Sequence, residues 1–396
     1  MPTSTQRQLA ALSELAHLVA SGTAVRRADL AAETGLSRAA VAQRVDLLIS
    51  HGLLVESAPD PVPRGRPPRA LGLATETGLV CAVDLGATHC QLAISGLGGD
   101  VLAETSVAID IGNGPQVVLA DVLELIHELL EKAGRQAEQV LAISIGVPGP
   151  VEAATGTVVR PPIMPGWDSY RVPDFFAGHF RAPVLVDNDV NMMAVGEYGQ
   201  RRDVDHLLFV KVGTGIGCGI VSGGVVHRGT AGAAGDIGHI RLPGHDDVLC
   251  QCGNTGCVEA VASGSAIAAL LRKSGLEATG GQDVVRLVSE GNATARRQVR
   301  LAGQRIGEVL ASLVSFYNPT TIVVGGSIAQ LHEDLLADIR GVVYARALPL
   351  ATRALSIETS TLGERAGIEG ARLLATRHLL SPSGIDQLMR RRATTV

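Results

Sequence analysis

A chain of 396 residues exceeds what one hydrophobic core ordinarily supports, so two or three domains are expected. Apolar residues make up 46% of it and charged residues 18%, which excludes a disordered chain and leaves ample material for packed cores. The net charge of −5 is unevenly spread: residues 1–70 hold eight arginines against six acidic residues and the remainder carries −7, an asymmetry too small to argue for nucleic acid by itself.

Met1 to Gln8 is polar and lacks the apolar run of a secretory signal, and no stretch approaches the roughly 18 apolar residues of a membrane span. The expected location is the cytoplasm, with no membrane partner. From Gln8 to about Val55 the apolar spacing is helical: Leu9, Leu12, Leu15, Leu18 and Val19 line a first helix, Leu30 and Ala31 a short second one, and Val41, Val45, Leu48 and Ile49 a third. Between the last two, Gly35 supplies a turn, Leu36 a core plug and Ser37 an N-cap, which is a helix-turn-helix pattern. Leu53-Leu54-Val55, a Pro/Arg-rich tract and Leu71-Gly72-Leu73 then read as strand, wing tip and returning strand. Residues 1–75 are thus expected to form a winged helix-turn-helix domain.

From Gly78 strands alternate with helices, as in an α/β fold. Asp84-Leu85-Gly86-Ala87-Thr88 follows one strand and precedes a hairpin, and Val212-Gly213-Thr214-Gly215 does the same much later. Such a duplication fits two lobes, each with a phosphate-binding turn, and a ligand cleft between them. Helices are expected at about 115–133, 190–198, 263–274, 282–290, 294–316 and 363–379, and a buried strand at 321–327. Cys250, Cys252 and Cys257 crowd into eight residues, which in a reducing compartment suggests metal and not disulfide.

Gly213-Thr214-Gly215-Ile216-Gly217-Cys218-Gly219-Ile220, then Gly229, then Gly235-Asp236-Ile237-Gly238-His239 form the most specific stretch. On these residues the chain resembles the ROK family, which groups bacterial sugar kinases with repressors and regulators built on the same domain. The resemblance implies a two-lobed actin-like (ribonuclease H-like) sugar-kinase fold behind the winged head, with lobes at 78–187 and 188–380 and a tail at 381–396. The last long helix would pack back on the first lobe. It also implies that His239, Cys250, Cys252 and Cys257 hold a structural zinc ion, one imidazole and three thiolates in a closed tetrahedron.

In the kinases the position of Asp189 is the general base that deprotonates the attacking sugar hydroxyl, while Asn188, Asp236, His239 and Glu259 hold the other hydroxyls. Asp84, Gly86, Thr88, Gly213, Thr214, Gly215, Gly325 and Gly326 match the nucleotide-binding positions, where backbone N–H groups cradle phosphate of ATP with magnesium. Two departures stand out: Ala87 replaces the second glycine of the kinase turn Asp-x-Gly-Gly-Thr, and Asp236 replaces the usual Glu. Both argue for a receptor more than a catalyst.

In the head, the third helix begins Ser37-Arg38 and carries Gln43 and Arg44, the residues expected to meet bases or phosphates of a DNA operator. Arg64, Arg66 and Arg69 are expected to reach the minor groove from the wing. One head reads half a site, so a homodimer or homotetramer on a palindromic or repeated operator is expected. The sequence therefore points to a sugar-responsive transcriptional regulator, expected to be a repressor of carbohydrate-metabolism genes, with an ATP-dependent sugar kinase carrying a DNA-binding head as the rival reading.

Overall fold

A computed structural model describes residues 3–57, 69–201 and 203–393. It opens with α1 (Ser4–Ala20), α2 (Arg27–Thr34) and α3 (Arg38–Ser50), followed by β1 (Leu54–Glu56) and β2 (Leu71–Leu73). A capping box between Thr3 and Gln6 starts α1. Gly35, at φ +67, ends α2 in the left-handed region, and the Ser37 hydroxyl accepts from the Ala40 N–H at 3.2 Å to start α3. Strands β1 and β2 pair antiparallel, with Leu54 opposite Leu73. Arg27 ties this unit together by reaching Asp46 at 2.7 Å and Glu56 at 2.9 Å.

The first lobe contains β3 (Leu79–Leu85), β4 (His89–Gly96), β5 (Val101–Ala108), α4 (Pro115–Lys132) and β6 (Val140–Val147). The short elements β7 (Val151–Glu152), β8 (Thr157–Val158) and α5 (Val172–Phe176) lead to β9 (Val184–Asn188). The second lobe follows with α6 (Asp189–Gly199), β10 (His206–Val212), β11 (Ile216–Ser222), β12 (Val225–Val226), α7 (Val258–Ala262) and α8 (Gly264–Lys273). It continues through α9 (Gly281–Ser289), α10 (Ala293–Tyr317), β13 (Thr321–Gly325), α11 (Glu333–Arg346), α12 (Pro349–Thr352) and β14 (Ser356–Thr359). Two helices close the chain, α13 (Ala366–Leu379) and α14 (Pro382–Ala393).

The two sheets have the same topology, β5-β4-β3-β6-β9 and β12-β11-β10-β13-β14. In each, an antiparallel meander joins two parallel strands at its third member. The parallel members β3, β6 and β13 are buried along their whole length, as strands covered on both faces must be. Sequence duplication thus becomes a structural duplication.

Helices α6 and α13 pack against each other between the sheets, and α13 also packs on β3 and β6 of the first lobe, as expected for the last long helix. The approach is at backbone level, since a β-carbon on Gly196 would collide with the Ala366 carbonyl, and one on Gly370 with that of Met192.

Residues 381–396, expected as a tail, instead carry α14. Its Ile385 and Leu388, with Leu379 and Leu380 before it, share one core with Leu12, Leu15 and Leu30 of the head and Val80, Leu97 and Ala142 of the first lobe. Burying two such side chains is worth about 1.5–3 kcal/mol each. The Ser13 hydroxyl adds a hydrogen bond to the Leu380 carbonyl at 2.7 Å. The head is therefore packed onto the lobes and not suspended from them. No helix among the described residues is long and apolar enough to cross a membrane.

Candidate functional site

A cleft of about 1290 Å³ opens between the lobes. Its floor is set where β9 passes into α6. The Asn188 side-chain oxygen caps α6 by accepting from the N–H groups of Val190 (3.0 Å) and Asn191 (3.3 Å), and its amide donates to the Gly149 carbonyl at 3.1 Å. Asn188 is thus a cap as well as a cleft residue, and one amide hydrogen is left for a ligand. Asp187 braces the same corner, accepting from Asn191 Nδ2 at 2.9 Å and from Arg228 Nε at 2.7 Å.

Asp189, only 3% exposed at its side chain, accepts from the Val190 N–H at 2.9 Å and forms an ion pair with Lys211 at the end of β10. Burial works to lower the Lys211 ammonium, but the charge and hydrogen bond of Asp189, then Asp84 and Glu259, hold it above its ordinary value. Lys211 is consequently charged, and it faces the cleft.

Asp84, at the end of β3, lies beneath. Burial, reinforced by Asp189, raises its carboxyl to about 7, and Lys211 opposes the rise. Its Oδ2 has no hydrogen-bond partner, and a β-carbon on Gly367 at the start of α13 would collide with it.

Glu259 reaches in from α7 and accepts from the Ile216 N–H at 2.9 Å, an approach that a β-carbon on Gly215 would block. Asp236 is half-exposed, with its carboxylate 3.8 Å from His239 Nε2. On its other side, His239 Nδ1 is 3.7 Å from Cys250 Sγ, and Cys252 Sγ is 3.7 Å from Cys257 Sγ. One ligand atom from each of these four residues lies within 4.8 Å of all the others. Ligands about 2.0–2.3 Å from a tetrahedral ion stand about 3.5–3.8 Å apart, so the donor set fits a metal ion. Burial first, then the neighbouring sulfurs, push the Cys257 thiol up to about 12.

A family model described as "ROK family" matches residues 80–378, most of the chain and both lobes. The chain belongs to the ROK family. Among relatives, the putative xylose repressor of Caldicellulosiruptor sp. (strain Rt8B.4) is 32% identical over 372 residues, covering 90% of this chain and 93% of the relative. Among solved structures, a ROK family transcriptional regulator described as a homolog of the E. coli MLC protein matches with a TM-score of 0.81 at 25% identity, covering 97% of this chain and 99% of that one. A ROK family glucokinase from Streptomyces griseus, in complex with glucose and AMPPNP, matches with a TM-score of 0.66 at 28% identity, covering 75% of this chain and 99% of that one.

All five positions matched to the sugar-holding residues of the ROK family line the cleft: Asn188, Asp189, Asp236, His239 and Glu259. Of the positions matched to nucleotide, Asp84, Thr88, Gly213, Thr214, Gly215, Gly325 and Gly326 also line it. Gly86 does not. The His89 imidazole lies over it, where an added β-carbon would meet the ring. Ala87 is absent from the described residues of positive φ and packs against the first-lobe core, so its methyl causes no backbone strain.

Sequence reasoning missed Lys211, Arg228 and His89. For Lys211 a signal existed, a lone charge in the apolar run Leu207-Leu208-Phe209-Val210-Lys211-Val212.

In the head, Ser37 spends its hydroxyl on the cap of α3. With about 100° per residue, Gln43 points opposite the buried Val41, Val45 and Leu48, while Arg38 and Arg44 stand on the two flanks. Arg38 and Gln43 are exposed, and Arg44 folds back to donate to the Ala40 carbonyl at 3.2 Å. Arg69, expected to reach DNA from the wing, pairs with Glu56 at 3.0 Å and keeps an exposed side chain. It stands at the loop end of the β1–β2 ribbon, where Glu56 faces Leu71. Arg64 and Arg66 lie outside the described residues.

Proposed function

We propose that this ROK family member is a sugar-responsive transcriptional repressor. A sugar or sugar derivative enters the cleft at Asn188, Asp189, Asp236, His239 and Glu259, and the head reads double-stranded DNA through Ser37, Arg38, Gln43 and Arg44 at and along α3 and through Arg64, Arg66 and Arg69 between β1 and β2. The observation that carries this reading is the single core joining head, first lobe, α13 and α14. A change of lobe geometry at the cleft is thereby felt at the DNA-reading helix. The kinase relative corresponds to 75% of the chain, whereas the repressor relative extends over 90% of it, which supports a head that belongs to the function.

Coupling requires that the sugar bind more tightly to the geometry that releases DNA. Because one head covers half a site, the protein acts as a homodimer or larger homo-oligomer on a repeated or palindromic operator. A DNA partner places it in the cytoplasm. A band-shift assay on the fragment upstream of its own gene, with free sugars added, tests the reading. Loss of the shifted band with a sugar supports it, and no shift at low salt opposes it.

Zinc is the metal we assign to His239, Cys250, Cys252 and Cys257, on the chemistry of one imidazole and three thiolates. A bound dication would reverse the rise at Cys250 and Cys257 and hold all three sulfurs as thiolates. His239 offers Nδ1 to that site and Nε2 towards Asp236, so the metal fixes one wall of the cleft.

One observation favours the second reading, an ATP-dependent sugar kinase: Asp189 and the turn Gly213-Thr214-Gly215 line the same cleft. In that reading Asp189 is the general base and the glycine turns hold ATP with magnesium. The Lys211 ion pair on Asp189 weighs against it. Steady ADP release with a hexose, abolished in Asp189→Asn, would establish it.

A further inference from the structure

We propose that the Lys211 ammonium and the Asp189 carboxylate act as a donor and acceptor pair that reads one unesterified hydroxyl, so that the effector is a free sugar and not its phosphate ester. The proposal rests on the reading of the cleft as a sugar site and names the chemical class that the site selects.

Strand β10 is apolar and buried around Lys211: Leu207, Leu208, Phe209, Val210 and Val212 are all inside. A lysine in such a strand persists because its charge is paired, and the pair here is with Asp189, whose side chain is almost entirely enclosed. Both groups line the cleft. Asp189 already receives the Val190 N–H on one oxygen and the ammonium on the other. A sugar hydroxyl inserted beside this pair donates its hydrogen to the carboxylate and accepts one from the ammonium. Both charges keep their partners, and the ligand adds none.

A phosphate ester meets the opposite situation. It brings close to two negative charges into a space that the carboxylates of Asp189, Asp236 and Glu259 already line. Lys211 can turn to it only by leaving Asp189 as an unpaired buried charge. The other cationic lining residue with a permanent charge is Arg160, which is exposed. The ion pair also engages the carboxylate that would have to take the proton in phosphoryl transfer. The cleft therefore recognises the sugar in its unphosphorylated form.

Titration calorimetry on the full chain tests this with D-xylose, D-glucose and N-acetyl-D-glucosamine against D-xylose 5-phosphate, D-glucose 6-phosphate and N-acetyl-D-glucosamine 6-phosphate. The expected result is that a free sugar binds and its ester binds at least about tenfold more weakly. Lys211→Met is expected to weaken the free sugar by about 10–100-fold. Because that variant leaves Asp189 unpaired, the charge-balanced variant Lys211→Met with Asp189→Asn is measured beside it. The double variant is expected to fold, to bind the free sugar more weakly and to lose its discrimination against the ester. An ester that binds as tightly as its free sugar overturns the proposal while leaving the sugar cleft intact. Undiminished preference for the free sugar in the folded double variant also overturns it. Binding of neither class overturns the sugar cleft and this proposal together.

Discussion

Burial holds the Asp84 carboxyl at about 7 in the folded chain, against an ordinary value of 3.8. The folded state thus keeps a proton that the unfolded state has lost, and stability declines as pH rises from about 4 to about 7. Replacing Asp84 with Asn removes that decline. Relative to the unaltered chain, Asp84→Asn is expected to gain about 1–3 kcal/mol between pH 5 and pH 8 in urea denaturation, and an equal difference at the two pH values would contradict it. Asp84 was legible in the sequence because a strand delivers it to a glycine turn. The same holds for Asn188 and Asp189 at a strand end and for Cys250, Cys252 and Cys257 with their close spacing, whereas Glu259 was reached only through the resemblance to the ROK family. Lys211 was not singled out, since its role depends on α6 bringing Asp189 alongside β10. His89 and Arg69 show the same limit: the imidazole settles on Gly86 and the guanidinium on Glu56 through contacts that spacing alone does not announce.

At the scale of elements, the loop that carries Cys250, Cys252 and Cys257 has little apolar packing to hold it beyond its own sulfurs, and α7 with Glu259 follows directly. Cys252→Ser is expected to lower zinc content per chain, cost several kcal/mol of stability and weaken sugar binding, as read by metal analysis, thermal melting and calorimetry. Full sugar affinity in a zinc-depleted variant would contradict the link from metal to cleft. Helix α14 makes a different prediction. Truncation after Ser381 removes Ile385 and Leu388 from the core they share with Leu12 and Leu15. DNA affinity measured by fluorescence anisotropy is expected to fall, while sugar binding persists; unchanged DNA affinity would contradict the role of α14 as a brace of the head. The duplicated strand, turn and hairpin were readable because each copy repeats a local pattern. Helix α14 was not, because Ile385, Leu388 and Met389 stand among arginines and acquire meaning only against the apolar face of α1. Helix α11 was also passed over, although Leu335, Leu336, Ile339 and Val343 have helical spacing.

For the whole molecule, α13 is the element common to both functions. Its first turn places Gly367 against Asp84 in the cleft, and its last places Leu379 beside the core of the head. In the proposed coupling, a lobe rotation about a bound sugar would pass through α13 to the core around α1 and to the helix expected to read DNA. In the proposed oligomer such a movement would alter the spacing of two heads, to which operator affinity would respond. The most direct measurement is the affinity of the full chain for a labelled fragment from upstream of its own gene, titrated with free sugars in the absence and presence of ATP. Specific binding is predicted, released by at least one free sugar without any need for ATP. Specific binding that no sugar alters, or release that occurs only with ATP, would contradict a sugar receptor coupled to a DNA-reading head.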